Sequence, residues 1–107
     1  MSDPQVTVLD RPELERYELI ADGTVVAIED YTLDGSRIAL NHTEVAAGHE
    51  GKGYAKRLVD EVLADARRRG LGVLPYCPYV AKVIANEPDR YLALVPQELR
   101  EGFGLPA

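Results

Sequence analysis

The sequence predicts an α+β fold in which an N-terminal antiparallel meander precedes a helix, a strand and a second helix. Asp-Gly pairs at residues 22–23 and 34–35 each separate two apolar segments, a pattern typical of two-residue hairpins. An apolar stripe at helical spacing begins directly after three closely spaced glycines. We therefore expect a single domain over residues 1–107, with a core of about 5–95 and a loosely held tail at 97–107.

The first half of the chain contains four predicted strands. Short alternating or continuous apolar segments bounded by turn residues place them at 5–9, 15–21, 24–33 and about 37–46. Because both Asp-Gly pairs lie between neighbouring segments, we expect consecutive antiparallel pairing.

The second half is predicted to be mainly helical. A helix over residues 51–69 has one buried stripe and ends at three arginines and Gly70, which are stop signals; the stripe consists of Ala55, Leu58, Val59, Val62, Leu63 and Ala66. A short buried strand at 71–75 and a helix at 79–86 follow. For residues 89–95 the pattern leaves strand and short helix open.

Composition limits the function classes. Apolar residues make up 46% and charged residues 28%, as in ordinary globular proteins, and the net charge of −6 argues against nucleic acid as the main partner. The charge favours a cationic partner such as an amine, or serves solubility alone. The single Cys77 excludes an internal disulfide, and residues 1–4 begin no signal peptide, so we expect a cytoplasmic protein without membrane partners.

The glycine-rich stretch before the long helix predicts an anion site. Glycines let a backbone approach a ligand closely, and the free N–H groups of a first helical turn point at any anion there. Lys52, Lys56 and Arg57 lie at the same place, although a helix start prefers acidic residues. A phosphate would account for both features, and a plain glycine-rich turn is the alternative.

Two common phosphate motifs do not fit these residues. A Walker A loop counted from Gly48 would require Gly-Lys-Ser/Thr where Gly53-Tyr-Ala55 stands, and the dinucleotide motif would require glycine at Lys56. The segment Glu50-x-x-Gly53-x-Ala55 instead resembles the pyrophosphate loop of the GNAT acetyltransferases, Arg/Gln-x-x-Gly-x-Gly/Ala. Glu50 departs from that pattern at the first position.

Two further segments strengthen the resemblance to the GNAT superfamily. His42-Thr-Glu-Val45 before the loop and Val73-Leu-Pro-Tyr-Cys-Pro-Tyr-Val80 after the helix resemble its small single-domain, YjdJ-like (minimal) branch. The resemblance implies acetyl-CoA bound between the fourth and fifth strands, with the backbone of residues 44–46 pairing with the pantetheine arm. The cofactor-binding residues that it implies are Val45, Glu50, Gly51, Lys52, Gly53, Tyr54, Ala55, Lys56 and Asn86.

The implied activity is N-acetyl transfer from acetyl-CoA to an amine, either a lysine or N-terminus of a peptide or protein, or a small amine. The alternative is a non-catalytic module that binds CoA or acyl-CoA, or a protein partner. No His, Cys, Asp and Glu cluster has metal-ligand spacing, so no metal is expected.

Cys77 is the first catalytic candidate. Pro78 suits the first position of a helix, which makes Cys77 its N-cap, and a helix N-terminus stabilises a thiolate. By resemblance, Cys77 lies near the thioester. It would either accept the acetyl group covalently or reprotonate the departing CoA. A buried cysteine without chemistry is the structural alternative.

The remaining catalytic candidates are His42, Glu44 and Tyr79. His42 alternates onto the strand face of Ile38, Leu40 and Glu44, where it would deprotonate an amine, or serve as a structural histidine. Glu44 lies where larger GNAT enzymes place a base, or is a surface carboxylate. Tyr79 is a proton donor by resemblance, with core packing as the alternative.

Overall fold

The computed structural model describes residues 5–107, which form a mixed five-stranded sheet with helices packed against it. The predicted α+β fold class is confirmed. The expectation that residues 1–4 begin no signal peptide falls outside the described residues. No helix between residues 5 and 107 has the length and apolar character needed to cross a membrane.

The strands lie in the sheet in their order along the chain. Strands β1 to β4 pair antiparallel, whereas β4 and β5 pair parallel. Their bounds are Val6–Arg11 for β1, Arg16–Ala21 for β2, Thr24–Asp34 for β3, Arg37–Val45 for β4 and Gly72–Pro75 for β5. The predicted meander is therefore confirmed.

Both predicted hairpins form, with different turns. Asp22 and Gly23 have φ values of 50° and 82°, the positive pair that a type I′ turn requires. In the second hairpin, Asp34 still pairs with Arg37 and the two loop residues are Gly35, at φ 60°, and Ser36. The turn there is shifted by one residue from the Asp-Gly pair.

Helix α1 spans Tyr54–Arg68 and buries the predicted apolar stripe against the sheet, apart from Ala55, which is half-buried. It begins three residues later than predicted. The reason is that Gly51 and Gly53 have positive φ values of 79° and 80°, so the backbone before Tyr54 is not helical. At the other end, the N–H of Gly70 donates to Arg67 O and that of Leu71 to Ala66 O, which is a Schellman motif.

Helix α2 spans Pro78–Asn86, with Cys77 as its N-cap, as Pro78 predicts. A short helix α3 at Pro88–Tyr91 and a 3₁₀ turn at Leu92–Leu94 follow. Residues 89–94 are therefore helical rather than a strand, and Val95 is extended. Val80, Val83 and Ile84 hold α2 on the core.

The C-terminal segment is packed on the fold, so the expectation of a loosely held tail at 97–107 is wrong. It forms 3₁₀ turns at Gln97–Leu99 and Glu101–Phe103, and Leu105 is buried. The Phe103 ring meets that of Tyr76 edge-on, at 5.2 Å between centroids. Isolated apolar residues in a glycine-rich context gave too weak a pattern to predict this packing.

Candidate active site at the gap between β4 and β5

The sheet opens at the end of β5. Parallel pairing joins Arg37–Leu40 of β4 to Gly72–Pro75 of β5 and then stops, although β4 continues to Val45. The chain leaves β5 through Tyr76 and enters α2, and the N–H of Cys77 donates to Leu40 O at 2.8 Å. The last residues of β4 therefore border a gap, with Cys77 at its closed end.

The backbone of β4 presents free hydrogen-bonding groups to this gap. The N–H of Ala46 donates to Val26 O at 2.8 Å, and antiparallel pairs alternate between bonded and non-bonded. Thr43 and Val45 consequently form non-bonded pairs with β3 and direct their N–H and C=O groups away from it. Val45, a predicted cofactor-binding residue, thus lines an open strand edge.

A β-bulge determines which side chains of β4 face the helices. Asp30 pairs with His42 and Tyr31 with Leu40, so Asn41 is the extra residue. The bulge reverses the alternation. The prediction that His42 and Glu44 share a face with Ile38 and Leu40 is therefore wrong, because Ile38 and Leu40 are fully buried whereas His42 and Glu44 are exposed.

Because of the bulge, Thr43 faces the interior beside Cys77. Its Oγ1 lies 3.2 Å from Cys77 Sγ and also donates a hydrogen bond to Oε1 of Glu29, its partner on β3. Cys77 is 5% exposed and Glu29 is fully buried. Burial raises the pKa of Glu29 to about 7, although the hydrogen bond from Thr43 opposes this shift.

Sequence reasoning missed both Glu29 and Thr43. For Glu29 a signal existed, since residues 27, 29 and 31 share one face and Ala27 and Tyr31 are apolar. A carboxylate between two core positions deserves a functional interpretation. For Thr43 there was none, because the bulge at Asn41 leaves no mark in the apolar pattern.

His42 and Glu44 lie together on the opposite face of the sheet. His42 Nε2 is 3.1 Å from Glu44 Oε1, and their side chains are 56% and 64% exposed. The structure thus separates the four predicted catalytic residues, with Cys77 inside and this pair outside. An amine that approached the gap from the outer face would meet these two groups first.

The glycine loop before α1 has the geometry of an anion site. Gly48, Gly51 and Gly53 all have φ between 79° and 87°, and no side chain caps α1. The backbone N–H groups of residues 50–56 have no hydrogen-bond acceptor among the described residues. The predicted set from Glu50 to Lys56 therefore forms a loop and first turn with free amides.

The cations beside the loop differ in their availability. Lys56 Nζ contacts Asp60 at 2.9 Å and Glu87 at 2.8 Å, and these two partners, Glu87 first, raise the pKa of Lys56. Lys52 and Arg57 form no ion pair within residues 5–107, and both are exposed. Lys52 and Arg57 are thus the cations free to meet an anion.

Glu50, which departs from the family pattern, bonds within the loop. Its Oε1 accepts a hydrogen bond from Gly48 N–H at 2.9 Å. The carboxylate therefore supports the loop conformation rather than offering a positive group to a ligand.

Comparison with known proteins decides the family. A sequence model of the family described as GCN5-related N-acetyl-transferase matches residues 16–94, which include the meander from β2 onwards, the glycine loop, α1, β5 and α2. The chain belongs to this family. The resemblance to the GNAT superfamily is confirmed, and membership supports acyl-CoA-dependent acetyl transfer as the general class of activity. Assignment to its minimal branch stays a prediction.

Two relatives agree with this assignment. The chain is 37% identical over 78 residues to the tRNA(Met) cytidine acetyltransferase TmcA of Aeropyrum pernix, an alignment that covers 65% of this chain. It spans only 11% of that much longer protein. The NMR structure of a GCN5-like protein from Staphylococcus aureus superposes with a TM-score of 0.60 and 22% identity, and the match covers 90% of this chain and 91% of that one. This second likeness shows a shared fold.

Within this GCN5-related fold, the other predicted residues lie along α2. Tyr79 is half-buried near Lys56, and its pKa is raised mainly by burial. Asn86 is exposed at the end of α2. Tyr91, the last residue of α3, is buried and donates a hydrogen bond to Asp60 Oδ1 at 2.5 Å, which ties α3 to α1.

A cavity of about 590 Å³ lies outside the gap between β4 and β5. It lies between α2 and the C-terminal segment and is lined by Pro75, Tyr76, Pro78, Ala81, Lys82, Ala85, Gly102, Phe103, Gly104 and Leu105. None of the predicted site residues lines it. Among the described residues, no group of three or more His, Cys, Asp or Glu side chains is placed to hold a metal.

Proposed function

We propose that this chain is an N-acetyltransferase that moves an acetyl group from acetyl-CoA to an amine, with Cys77 beside the thioester. The observation that carries the proposal is the succession of two stretches with free backbone groups, the β4 edge at Thr43 and Val45 and the loop amides at 50–56. The first stretch suits an extended amide-containing arm, and the second suits a pyrophosphate.

The residues of these two stretches fit acetyl-CoA. Gly53 is left-handed, and a Cβ built there meets no atom within 4 Å, so the space beside the loop is open to a ligand. The free amides, with Lys52 and Arg57, would hold the pyrophosphate. Thr43 and Val45 would pair with the pantetheine arm, and Asn86 would lie near the cofactor. Acetyl-CoA supplies an activated acyl group.

Each predicted catalytic side chain then has a chemical task. His42 and Glu44, paired on the outer face, would take a proton from the acceptor's ammonium group, which leaves a neutral amine to attack the thioester. Cys77 would either carry the acetyl group or return a proton to the leaving thiol, and Tyr79 is a second donor. Acid quenching followed by mass spectrometry separates the two roles of Cys77, because only the covalent route leaves an acetylated cysteine.

The acceptor is proposed to be an amine of a peptide or of a small molecule. The relative from Aeropyrum pernix acts, by its name, on a cytidine of tRNA(Met), and this chain spans a small part of it. The net charge of −6 on the present chain disfavours a polyanionic acceptor and favours a cationic one. An acceptor panel should therefore compare acetyl transfer to peptides, to polyamines and to tRNA.

Thermal unfolding with acetyl-CoA tests the proposed binding site. At a hundredfold excess over its Kd the ligand should add about 2.7 kcal/mol, or on the order of 10 °C for a domain of this size. Gly53→Glu should abolish this shift, because it puts bulk and negative charge beside the loop amides. Gly35→Glu is the matched control, since Gly35 also has positive φ and open space but lies at the other end of β4.

Turnover separates the enzyme from the rival binding module. Release of CoA thiol with one class of amine, lost in Cys77→Ala, supports the proposed transferase. A thermal shift without turnover on any acceptor favours a CoA-binding module, and no shift in the wild type contradicts the proposed binding site.

A further inference from the structure

A buried carboxyl group with an unused oxygen lies behind the proposed site. Glu29, near the middle of β3, has no solvent-exposed surface. Its Oε1 accepts the hydrogen bond from Thr43, whereas its buried Oε2 has no hydrogen-bond partner among the described residues. Buried carboxyl oxygens are normally paired, so this one requires a reason.

The same carboxyl group is linked to the thiol through one hydroxyl. Thr43 Oγ1 contacts both Glu29 Oε1 and, at 3.2 Å, Cys77 Sγ. A hydroxyl group donates one hydrogen bond and accepts others, so Thr43 can donate to Glu29 while it accepts from the thiol. The three side chains form an unbroken hydrogen-bonded line from the β3–β4 pair to the N-cap of α2.

The groups around Glu29 compensate its charge only in part. Burial is the largest cause of the rise of its pKa to about 7 and Asp30 adds to the rise, whereas the Thr43 hydroxyl and the backbone and imidazole of His42 lower the pKa. On β2 the opposite residue is Tyr17, whose hydroxyl is bonded to Asp65. Helix α1 contributes an apolar buried face, and α2 contributes Cys77. No arginine or lysine is among the groups that mainly set the pKa of Glu29.

We propose that Glu29 is the proton acceptor and store for the Cys77 thiol, acting through the Thr43 hydroxyl. In the transfer step, the S–H bond of Cys77 breaks and its proton passes to Thr43 Oγ1, while the original hydroxyl proton passes to Glu29. The products are a thiolate and a neutral carboxylic acid, so charge and protons balance. The reverse step returns the proton. Because Glu29 acts only through Thr43 and contacts no substrate, it is a positioning residue rather than a catalytic one. The proposal rests on the proposed role of Cys77.

A purely structural Thr43–Glu29 pair would make a different prediction. It would hold β3 and β4 together without changing how the thiol responds to pH. The proposed line couples the two titrations, so the reactive form of the thiol should appear as Glu29 ionises. The pH profile of thiol reactivity therefore distinguishes the two roles.

The test measures alkylation of Cys77 by iodoacetamide between pH 5 and 9, with no acyl donor present. Cys77 is the only cysteine in the chain, so mass spectrometry reads one site. Thiolate absorbance near 240 nm, against Cys77→Ser as a blank, gives a second readout that does not depend on reagent access. In the wild type both signals should rise with an inflection near pH 7, where Glu29 titrates.

Glu29→Gln should remove this inflection and lower the alkylation rate at pH 7.5 about tenfold, the effect of about one pH unit on a thiolate population. Thr43→Val should do the same, whereas Thr43→Ser should restore the profile. The matched control is Asp34→Asn, which removes an exposed carboxylate from the same strand and should leave the inflection in place.

An unchanged profile in Glu29→Gln or in Thr43→Val would overturn the proposal, and so would loss of the inflection in Thr43→Ser. If Glu29→Gln does not fold, the valine and serine variants at position 43 still decide the question. Because no acetyl-CoA is used, a failure to bind it would count against the proposed function and leave this result standing.

Discussion

Two glutamates with little solvent exposure, on neighbouring strands, show how the hydrogen-bond partners of a carboxyl group set its pKa. Glu18 on β2 is 4% exposed and Glu29 on β3 is 0% exposed, and they face opposite sides of the sheet. Arg16 lies 2.7 Å from Glu18 and Arg11 lies 3.1 Å from it, and the hydrogen bond from Arg16 is the main reason that the pKa of Glu18 is lowered. Glu29 has no arginine or lysine beside it, and burial outweighs the effects of Thr43 and His42, so its pKa rises to about 7.

The difference lies in what each face of the sheet can supply. On the outer face, arginines on and beside β2 lie across Glu18 while they remain half-exposed, which keeps a carboxylate charged at modest cost. On the inner face α1 excludes both water and cations from Glu29. A similarly low solvent exposure thus accompanies an ion pair near the surface in one case and a deeply buried carboxyl group with a raised pKa in the other.

Glu29→Gln gives the largest expected effect on this contrast. The rise in the pKa of Glu29 from 4.5 to about 7 corresponds to about 3 kcal/mol. The folded state keeps its proton up to about pH 7 but the unfolded chain only up to 4.5, so wild-type stability falls as the pH rises between these values. The amide of glutamine does not ionise, so the variant avoids the cost of a buried charge. Its unpaired N–H group destabilises the folded state by about 1 kcal/mol.

We therefore expect Glu29→Gln to be about 2 kcal/mol more stable than the wild type at pH 8 and to lose that advantage at pH 4.5. Urea unfolding at both pH values measures it. An equal effect at the two values would show that Glu29 does not titrate differently in the folded state.

Thr43→Val should have an intermediate effect, opposite in sign. At pH 8 it removes the hydrogen bond to an ionised Glu29 and should destabilise the fold by about 1.5 kcal/mol, because bonds to charged groups are the stronger ones. Near pH 5 the carboxyl is neutral and the loss should shrink to about half. Urea titrations of Thr43→Val and Thr43→Ser at both pH values check this, and a pH-independent loss would contradict the account.

Glu18→Gln should have the smallest effect. It should destabilise the fold as the pH rises, whereas Glu29→Gln should stabilise it. The folded pKa of Glu18 is lowered, so the ion pairs contribute above the unfolded value of 4.5 and are lost as the pH falls below it. Because both arginines are partly exposed, we expect a destabilisation of about 1 kcal/mol at pH 7 and none at pH 3. Thermal unfolding of the variant and the wild type at the two pH values measures it.

The backbone of this fold was largely predictable, because its signals are local. The Asp-Gly pairs fixed two hairpins, the apolar stripe and Gly70 fixed α1 and its end, and Pro78 fixed the start of α2. The start of α1 was misplaced because consecutive left-handed glycines extend the loop to Gly53. Composition cannot distinguish such a loop from a first helical turn.

The candidate site was less predictable, because it depends on contacts between distant segments. Cys77, Thr43 and Glu29 come from three separate stretches of the chain and meet only after β3 and β4 pair. The pairing of Lys56 with Glu87 likewise joins α1 to the end of α2. The residue types around Cys77 indicate a candidate catalytic cysteine, but no local sequence pattern predicts that Thr43 and Glu29 lie beside it.

The extra residue in β4 has a wider consequence. Before Asn41 the odd-numbered side chains of the strand point outward, and after it they point inward. A single strand is therefore divided into a first half that builds the core and a second half that presents polar groups on both of its surfaces. Removing Asn41 alone would close the bulge and leave Thr43 opposite Glu29, whereas regular pairing that kept Asn41 would put the His42 imidazole there instead of the hydroxyl group.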